Sequence, residues 1–452
     1  HALELARARG ALDVAVGGGS SVAAEELARL ATRRLLSDDA AEIEALAAEL
    51  DALRAHHASA ARPAIVPDAG ELRAFAARHA EVTMLSWWLG RDEAWLLVVR
   101  AGEVEQFALD APGRCRAHAA AAFRAVMSPQ GDGRDLVAAA DCLLPGAVRP
   151  LLGETVLAVL DPTMARLPLA ALVVDGRPFG ASHRLVQSPS IAVARAVGDR
   201  TPGTGRALVV QAPERSELAD HLGLDPLRFA ARECAAVVAA HAGAALIAGE
   251  QATLAELRRS VQQAAIEHGA APSTLHVAAH AVDCPGLPTQ SLLLLADGPV
   301  AMGGLAELRL PGALVVLSAC AAATGEQRGR EGVIGLVEGM FAAGARAVVA
   351  PVAAVNQQAT ADLMRLFHDQ LSRGVDPASA LQHARQAMAA TANYGHPHYW
   401  GAFTVFGGLD PAVGPVVVER RSRWPLWVGV GALIALGVWL LLPRQQREVG
   451  LR

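Results

Sequence analysis

Leu314-Val-Val-Leu-Ser-Ala-Cys320 is an unbroken run of β-branched and leucine residues that stops at a cysteine. After it, Gly332-Val-Ile-Gly-Leu-Val-Glu-Gly-Met-Phe341 reads as a helix. Strands that lack polar alternation are buried on both faces, as in a parallel sheet covered by helices. In such sheets ligands bind beyond the carboxyl ends of the strands, and Cys320 stands at that end. About forty residues earlier Leu275-His-Val-Ala-Ala is a second short apolar strand, and it ends in His280. A thiol hydrolase needs a cysteine and a histidine on two such strand ends.

Taken singly, neither residue says much. A free cysteine most often behaves as a small buried hydrophobe, and a lone histidine is more often a satisfied polar residue than a catalyst. Together they gain meaning if the two strands are neighbours. An imidazole at that edge can hold the thiol as thiolate or pass a proton to a leaving amine. Backbone N–H groups at the two turns can then stabilise an oxyanion. His276 and His280 also stand in an H-x-x-x-H spacing. The glutamate of H-E-x-x-H is missing and the segment reads as a strand, so no metal is expected.

Composition sets the outer bounds. The chain has 452 residues, 52% of them hydrophobic, and its mean hydropathy of +0.29 is high for a purely soluble protein. A net charge of −5 leaves no basic footprint for nucleic acid. The five cysteines, at 115, 142, 234, 284 and 320, contain no C-x-x-C pair. Their spacing suggests neither a disulfide framework nor a zinc site, and a reducing compartment is expected. There is no G-x-x-x-x-G-K-[ST] loop, and Gly17-Gly-Gly19-Ser-Ser reads as a linker, so no cofactor is expected. A start at His1 without methionine suggests a piece of a longer protein.

Residues 1–75 read as a helical segment followed by a linker. Glu42-Ile-Glu-Ala-Leu-Ala-Ala-Glu-Leu-Asp-Ala-Leu-Arg54 carries apolar residues at helical spacing, and the Pro-containing linker runs from 60 to 70. The segment suits the end of a helical repeat array, although no 34-residue repeat is visible within it. Thr83-Met-Leu-Ser-Trp-Trp-Leu89 and Ala94-Trp-Leu-Leu-Val-Val99 form a hairpin pattern, with a third strand over 102–109. Residues 111–148 read as mostly helical, 155–160 and 207–211 as strands, and 225–242 as a helix. Alternation of this kind predicts a layered α/β/α domain with a mostly parallel sheet.

The C-terminal stretch is different. Pro425-Leu-Trp-Val-Gly-Val-Gly-Ala-Leu-Ile-Ala-Leu-Gly-Val-Trp-Leu-Leu-Leu442 carries no charge. As a helix it is long enough to nearly span a hydrocarbon core of ~30 Å. Trp424, Trp427 and Trp439 lie near its ends, as interfacial anchors do. Arginines flank it on both sides, so the charge bias of the flanks does not orient it. This predicts a linker at 409–423, one transmembrane helix at 424–443 and a short basic tail at 444–452.

Several separate motifs, in order, resemble the CHAT domain family, whose members are caspase-like and often follow tetratricopeptide repeats. They are Leu275-His-Val-Ala-Ala-His280, Leu314-Val-Val-Leu-Ser-Ala-Cys320, Glu331-Gly-Val-Ile-Gly-Leu336, Phe341-Ala-Ala-Gly-Ala-Arg-Ala-Val-Val349 and His396-Pro-His-Tyr-Trp-Gly-Ala-Phe403. Gln187-Ser-Pro-Ser190, Gly249-Glu-Gln-Ala-Thr253 and the Trp87-Trp88 hairpin add to the resemblance, which covers residues 80–408. It implies a caspase-like cysteine endopeptidase acting on a protein substrate. Cys320 would be the nucleophile and His280 the general acid/base, with the N–H groups of Ala281 and Cys320 forming the oxyanion hole. An upstream sensor would control it, and the C-terminal helix would hold it to a membrane with the domain in the cytoplasm.

Three positions depart from the family pattern. Ala281 stands where the family has glycine after the histidine. The run Cys320-Ala-Ala-Ala-Thr-Gly325 is two residues longer than the family's, and Ala353, Asn356 and Gln357 replace a tryptophan and an acidic pair. These departures leave open a second reading, a catalytically impaired scaffold that binds a protein partner.

Overall fold

The run at 314–322 owes its central position to having no polar face to offer water. In the computed structural model it is one strand of a large mixed sheet. The structure describes residues 69–283, 291–322 and 332–409, with scattered helical positions between 30 and 49. The stretches expected to form the membrane helix (424–443), the lengthened loop (323–325) and the glycine-rich linker (17–21) lie outside the described residues.

In chain order the strands are β1 (Val82–Leu89), β2 (Ala94–Arg100), β3 (Glu103–Ala108), β4 (Thr155–Val159), the short pair β5 (Val173–Val174) and β6 (Arg177–Pro178), and β7 (Arg184–Gln187). Then come β8 (Leu208–Gln211), β9 (Ala245–Ala248), β10 (Thr274–Asp283), β11 (Ser291–Leu295), β12 (Gly298–Val300), β13 (Leu314–Ala322), β14 (Ala347–Pro351) and β15 (Phe403–Gly407). All but β5 and β6 join one sheet, in the order β12-β11-β10-β13-β14-β15-β7-β4-β1-β2-β3, with β8 and β9 branching from β10. Pairing is parallel through β9-β8-β10-β13-β14 and through β15-β7-β4-β1. The antiparallel pairs are the β1-β2-β3 meander, β10-β11-β12 and β14-β15. The fold is therefore mixed α/β with a mostly parallel sheet.

Helices cover both faces, which is what non-alternating strands require. On one face of β10 and β13, Leu275, Val277, Ala279, Val315, Leu317 and Ala319 pack with the helices Leu254–His268 and Gly332–Ala342. On the other face Leu314 and Val316 meet the helices Gln357–Ser372 and Pro377–Ala389. Ala278 meets the helix Ala230–Ala240 through Cys234 and Val237. In the β1–β4 half of the sheet, Leu85, Trp87, Leu96 and Val98 pack on the helices Pro112–Met127 and Gly133–Leu143. The opposite face there holds Phe75 and Ala76 of the helix Ala69–Arg78.

Two sequence expectations are corrected. The strands do not stop at His280 and Cys320: β10 continues to Asp283 and β13 to Ala322, with Ala281 paired to Ala321 and Val282 to Ala322. Alanine and valine give a strand no reason to end. The helix expected from 225 begins only at Ala230, because Pro226 keeps Asp225 out of helical angles. That five-residue displacement leaves a bracket that reaches the candidate site.

Candidate active site

His280 and Cys320 share a register position on adjacent parallel strands, and neighbouring strands lie about 4.8 Å apart. Two sequence-distant residues are thus brought side by side on adjacent strands of the sheet. The pattern that selects the face is plain on β10: odd positions enter the core under the Leu254–His268 and Gly332–Ala342 helices, so His276, Ala278 and His280 project from the other face.

His280 is 8% exposed. Its Nε2 is buried without a hydrogen-bond partner among the described residues, and Asp225 is the residue whose backbone and charge act on the ring. Nε2 is thus free, among the described residues, to accept or deliver a proton. Burial lowers the imidazole below its ordinary value, and the Asp225 carbonyl and carboxylate work in the opposite direction. The Asp225–Leu227 bracket is itself held: Gln357 Nε2 donates to the Pro226 carbonyl at 3.0 Å, and Leu227 N–H donates to Glu214 at 2.9 Å. Sequence reading missed Asp225. Its only signal was the Asp-Pro dipeptide, an extended turn in what otherwise looks helical.

Ala281 is an ordinary strand residue. It pairs with Ala321 on one side and Leu293 on the other, and its φ lies outside the left-handed region.

Two register positions before the dyad, on the same face, Ala278 and Ser318 border a small cleft of about 30 Å³. Leu227, Phe229, Ala230 and Gln357 form its walls, and Glu233 and Thr360 also border it. The hydroxyls of Ser318 and Thr360 are buried without hydrogen-bond partners among the described residues. Gln357, one of the positions that departs from the family pattern, thus both borders this cleft and steadies the bracket behind His280.

His276 is engaged elsewhere. Its Nε2 donates to Glu233 Oε1 at 2.9 Å, and its Nδ1 lies 3.1 Å from His368 Nε2. His368 Nδ1 in turn lies 2.9 Å from His241 Nε2. The carboxylate at one end sets the polarity: each ring donates through Nε2 toward Glu233 and accepts through Nδ1. Glu233, His276 and His368 are buried and His241 is half-buried. Burial pushes His241 down to about 4 and His368 well below the usual histidine range.

The CHAT domain family matches residues 119–408, well over half of the chain. The chain belongs to that family. Tetratricopeptide repeat protein 28 of Mus musculus is 31% identical over 125 residues, which is 28% of this chain and 5% of that protein. The Homo sapiens protein of the same name is 30% identical over 125 residues. The chain thus spans about a twentieth of the length of these relatives. Among solved structures, the Saccharomyces cerevisiae separase–securin complex at 2.6 Å aligns with a TM-score of 0.46 and 8% identity, over 75% of this chain and 31% of that one. The complex of Porphyromonas gingivalis RgpB pro- and mature domains aligns with a TM-score of 0.36 and 11% identity, over 59% and 65%. Both likenesses are loose and say nothing about this chain's site.

Proposed function

We propose that this chain is a caspase-like cysteine endopeptidase working through Cys320 and His280. The observation that carries the reading is their shared register position on adjacent parallel strands, with His280 Nε2 buried and without a partner among the described residues. The Cys320 thiolate attacks the scissile carbonyl carbon. His280 gives its Nε2 proton to the leaving amine, and a thioester remains on Cys320. His280 then takes a proton from water, which attacks the thioester and releases the acid. The backbone N–H groups of Cys320 and Ala281 are the proposed oxyanion donors.

In the paired form Ala281 belongs to the sheet, so this role requires the Ala281–Ala321 and Val282–Ala322 pairs to separate. Such opening suits control by an upstream sensor. Leu30 and Leu46, in the helical segment, are buried with Val282, Leu292 and Leu294 at this same strand end. The uncharged stretch at 425–442 anchors the chain to a membrane in this reading, with the domain in the cytoplasm where a thiol stays reduced. A second reading, a scaffold without activity that binds a protein partner, is favoured by the closed ladder and by Ala281. Cleavage of a protein substrate by the full chain, lost in Cys320→Ala, is the expected result. Cleavage that persists in Cys320→Ala would refute the peptidase assignment.

A further inference from the structure

Cys115 and Cys142 carry no pairing signal in the sequence. They lie 27 residues apart, one in each of the helices Pro112–Met127 and Gly133–Leu143. The fold packs these helices side by side against Trp87, Leu96 and Val98 and brings the two sulfurs to 3.1 Å. Core cysteines are commonly no more than small hydrophobes, but these two thiols meet head to head, closer than sulfur atoms rest in plain packing. Cys115 also reaches the Asp110 carbonyl at 3.5 Å. A disulfide needs the two sulfurs to close from 3.1 Å to about 2.05 Å.

We propose that Cys115 and Cys142 form a reversible disulfide that staples the two helices when the chain meets a hydroperoxide. The Cys115 sulfur attacks the terminal peroxide oxygen. The O–O bond breaks, the alcohol or water leaves with the thiol proton, and Cys115 becomes a sulfenic acid. Cys142 then attacks the Cys115 sulfur, forming the S–S bond and releasing the hydroxyl as water with its own proton. Two thiols are oxidised and one peroxide is reduced. The sulfur–sulfur contact suits this order of events. The hydrogen bond between the two thiols lowers the Cys115 thiol and, with burial, raises that of Cys142. Cys115 is then the sulfur that reacts and Cys142 the one that resolves.

The staple has a structural address. The turn between the two helices seats the closing motif: His396 Nε2 bonds to the Gly131 carbonyl at 3.1 Å, and His398 Nδ1 to the Val126 carbonyl at 2.8 Å. Oxidation would therefore rigidify the support of that motif. The proposal is independent of the peptidase reading. In a reducing compartment such a bond is transient, as redox-sensing disulfides there are.

The test treats the full chain with hydrogen peroxide, alkylates the remaining thiols, and identifies linked peptides by mass spectrometry of a non-reduced digest. The expected product joins Cys115 to Cys142, is lighter by two hydrogens and is reversed by dithiothreitol. Its thermal midpoint should rise by several degrees, as closing a loop of this length does. In Cys142→Ser the link and the rise should vanish, and dimedone should capture a sulfenic acid on Cys115. If peroxide carries Cys115 or Cys142 to sulfinic acid, or leaves both as thiols after the other cysteines have reacted, the proposal is overturned. A link that forms but lowers the midpoint overturns the staple.

Discussion

His368 sits fully buried in the middle of a three-ring chain, and burial together with its two histidine neighbours holds it well below the usual histidine range. His241 and His276 flank it. Arg365 and Asp369 are on its own helix, Arg232 and Glu233 come from the helix Ala230–Ala240, and His383 and Arg385 from the helix Pro377–Ala389. Burial holds His241 near 4 and His368 lower still, so both are neutral in the folded chain at neutral pH. The unfolded chain binds their protons near 6.5. Stability should therefore be complete above that value and fall as pH drops from about 6.5 toward 4, because the unfolded state binds more protons in this window. For His241 the ceiling of the loss is on the order of 3 kcal/mol. Urea unfolding followed from pH 7 to 4 checks this. His241→Gln should flatten the slope, and an unchanged slope would remove His241 from the account.

At the scale of the element, β10 and β13 show what could be read in the sequence and what could not. Their apolar runs announced buried parallel strands, and they are adjacent and parallel. The hairpin at 82–100 and the helices after 111 were equally legible, because period and turn residues are local. The ends of β10 and β13 were not, since alanine and valine after the dyad neither break a strand nor require one. Nor was Asp225, whose placement depends on a bracket held by Glu214, 13 residues before Leu227, and by Gln357, 131 residues after Pro226. The Cys115–Cys142 meeting was invisible for the same reason. The closed ladder also sets an expectation. Ala281→Gly weakens strand pairing just past His280, and Leu46→Glu drives a charge into the cluster that holds Val282. Either change should leave cleavage unchanged or raise it several-fold relative to the parent chain under identical conditions. A strong loss in both, with folding intact by circular dichroism, would mean that the paired ends are part of the working site.

For the whole molecule, the described residues form a mixed α/β unit in which the candidate site lies on two adjacent strands of the sheet, β10 and β13. Among them no helix is long and apolar enough to cross a membrane. The anchor proposal therefore rests on the uncharged stretch at 425–442. Cell fractionation should find the full chain with membranes and a version ending near residue 415 in the soluble fraction. Recovery of both in the soluble fraction would exclude the anchor.

The central claim is that His280 acts on Cys320, and it can be tested without knowing a substrate. The rate of Cys320 alkylation by iodoacetamide, followed peptide by peptide across pH, reports the thiol's ionisation directly. A free cysteine titrates near ~8.5, and a neighbouring imidazole lowers that value. The expected result is a Cys320 midpoint clearly below this in the parent chain, returning to it in His280→Ala, while Cys284 stays unaffected by the substitution. A Cys320 that titrates as an ordinary thiol, identically with and without His280, would contradict the dyad.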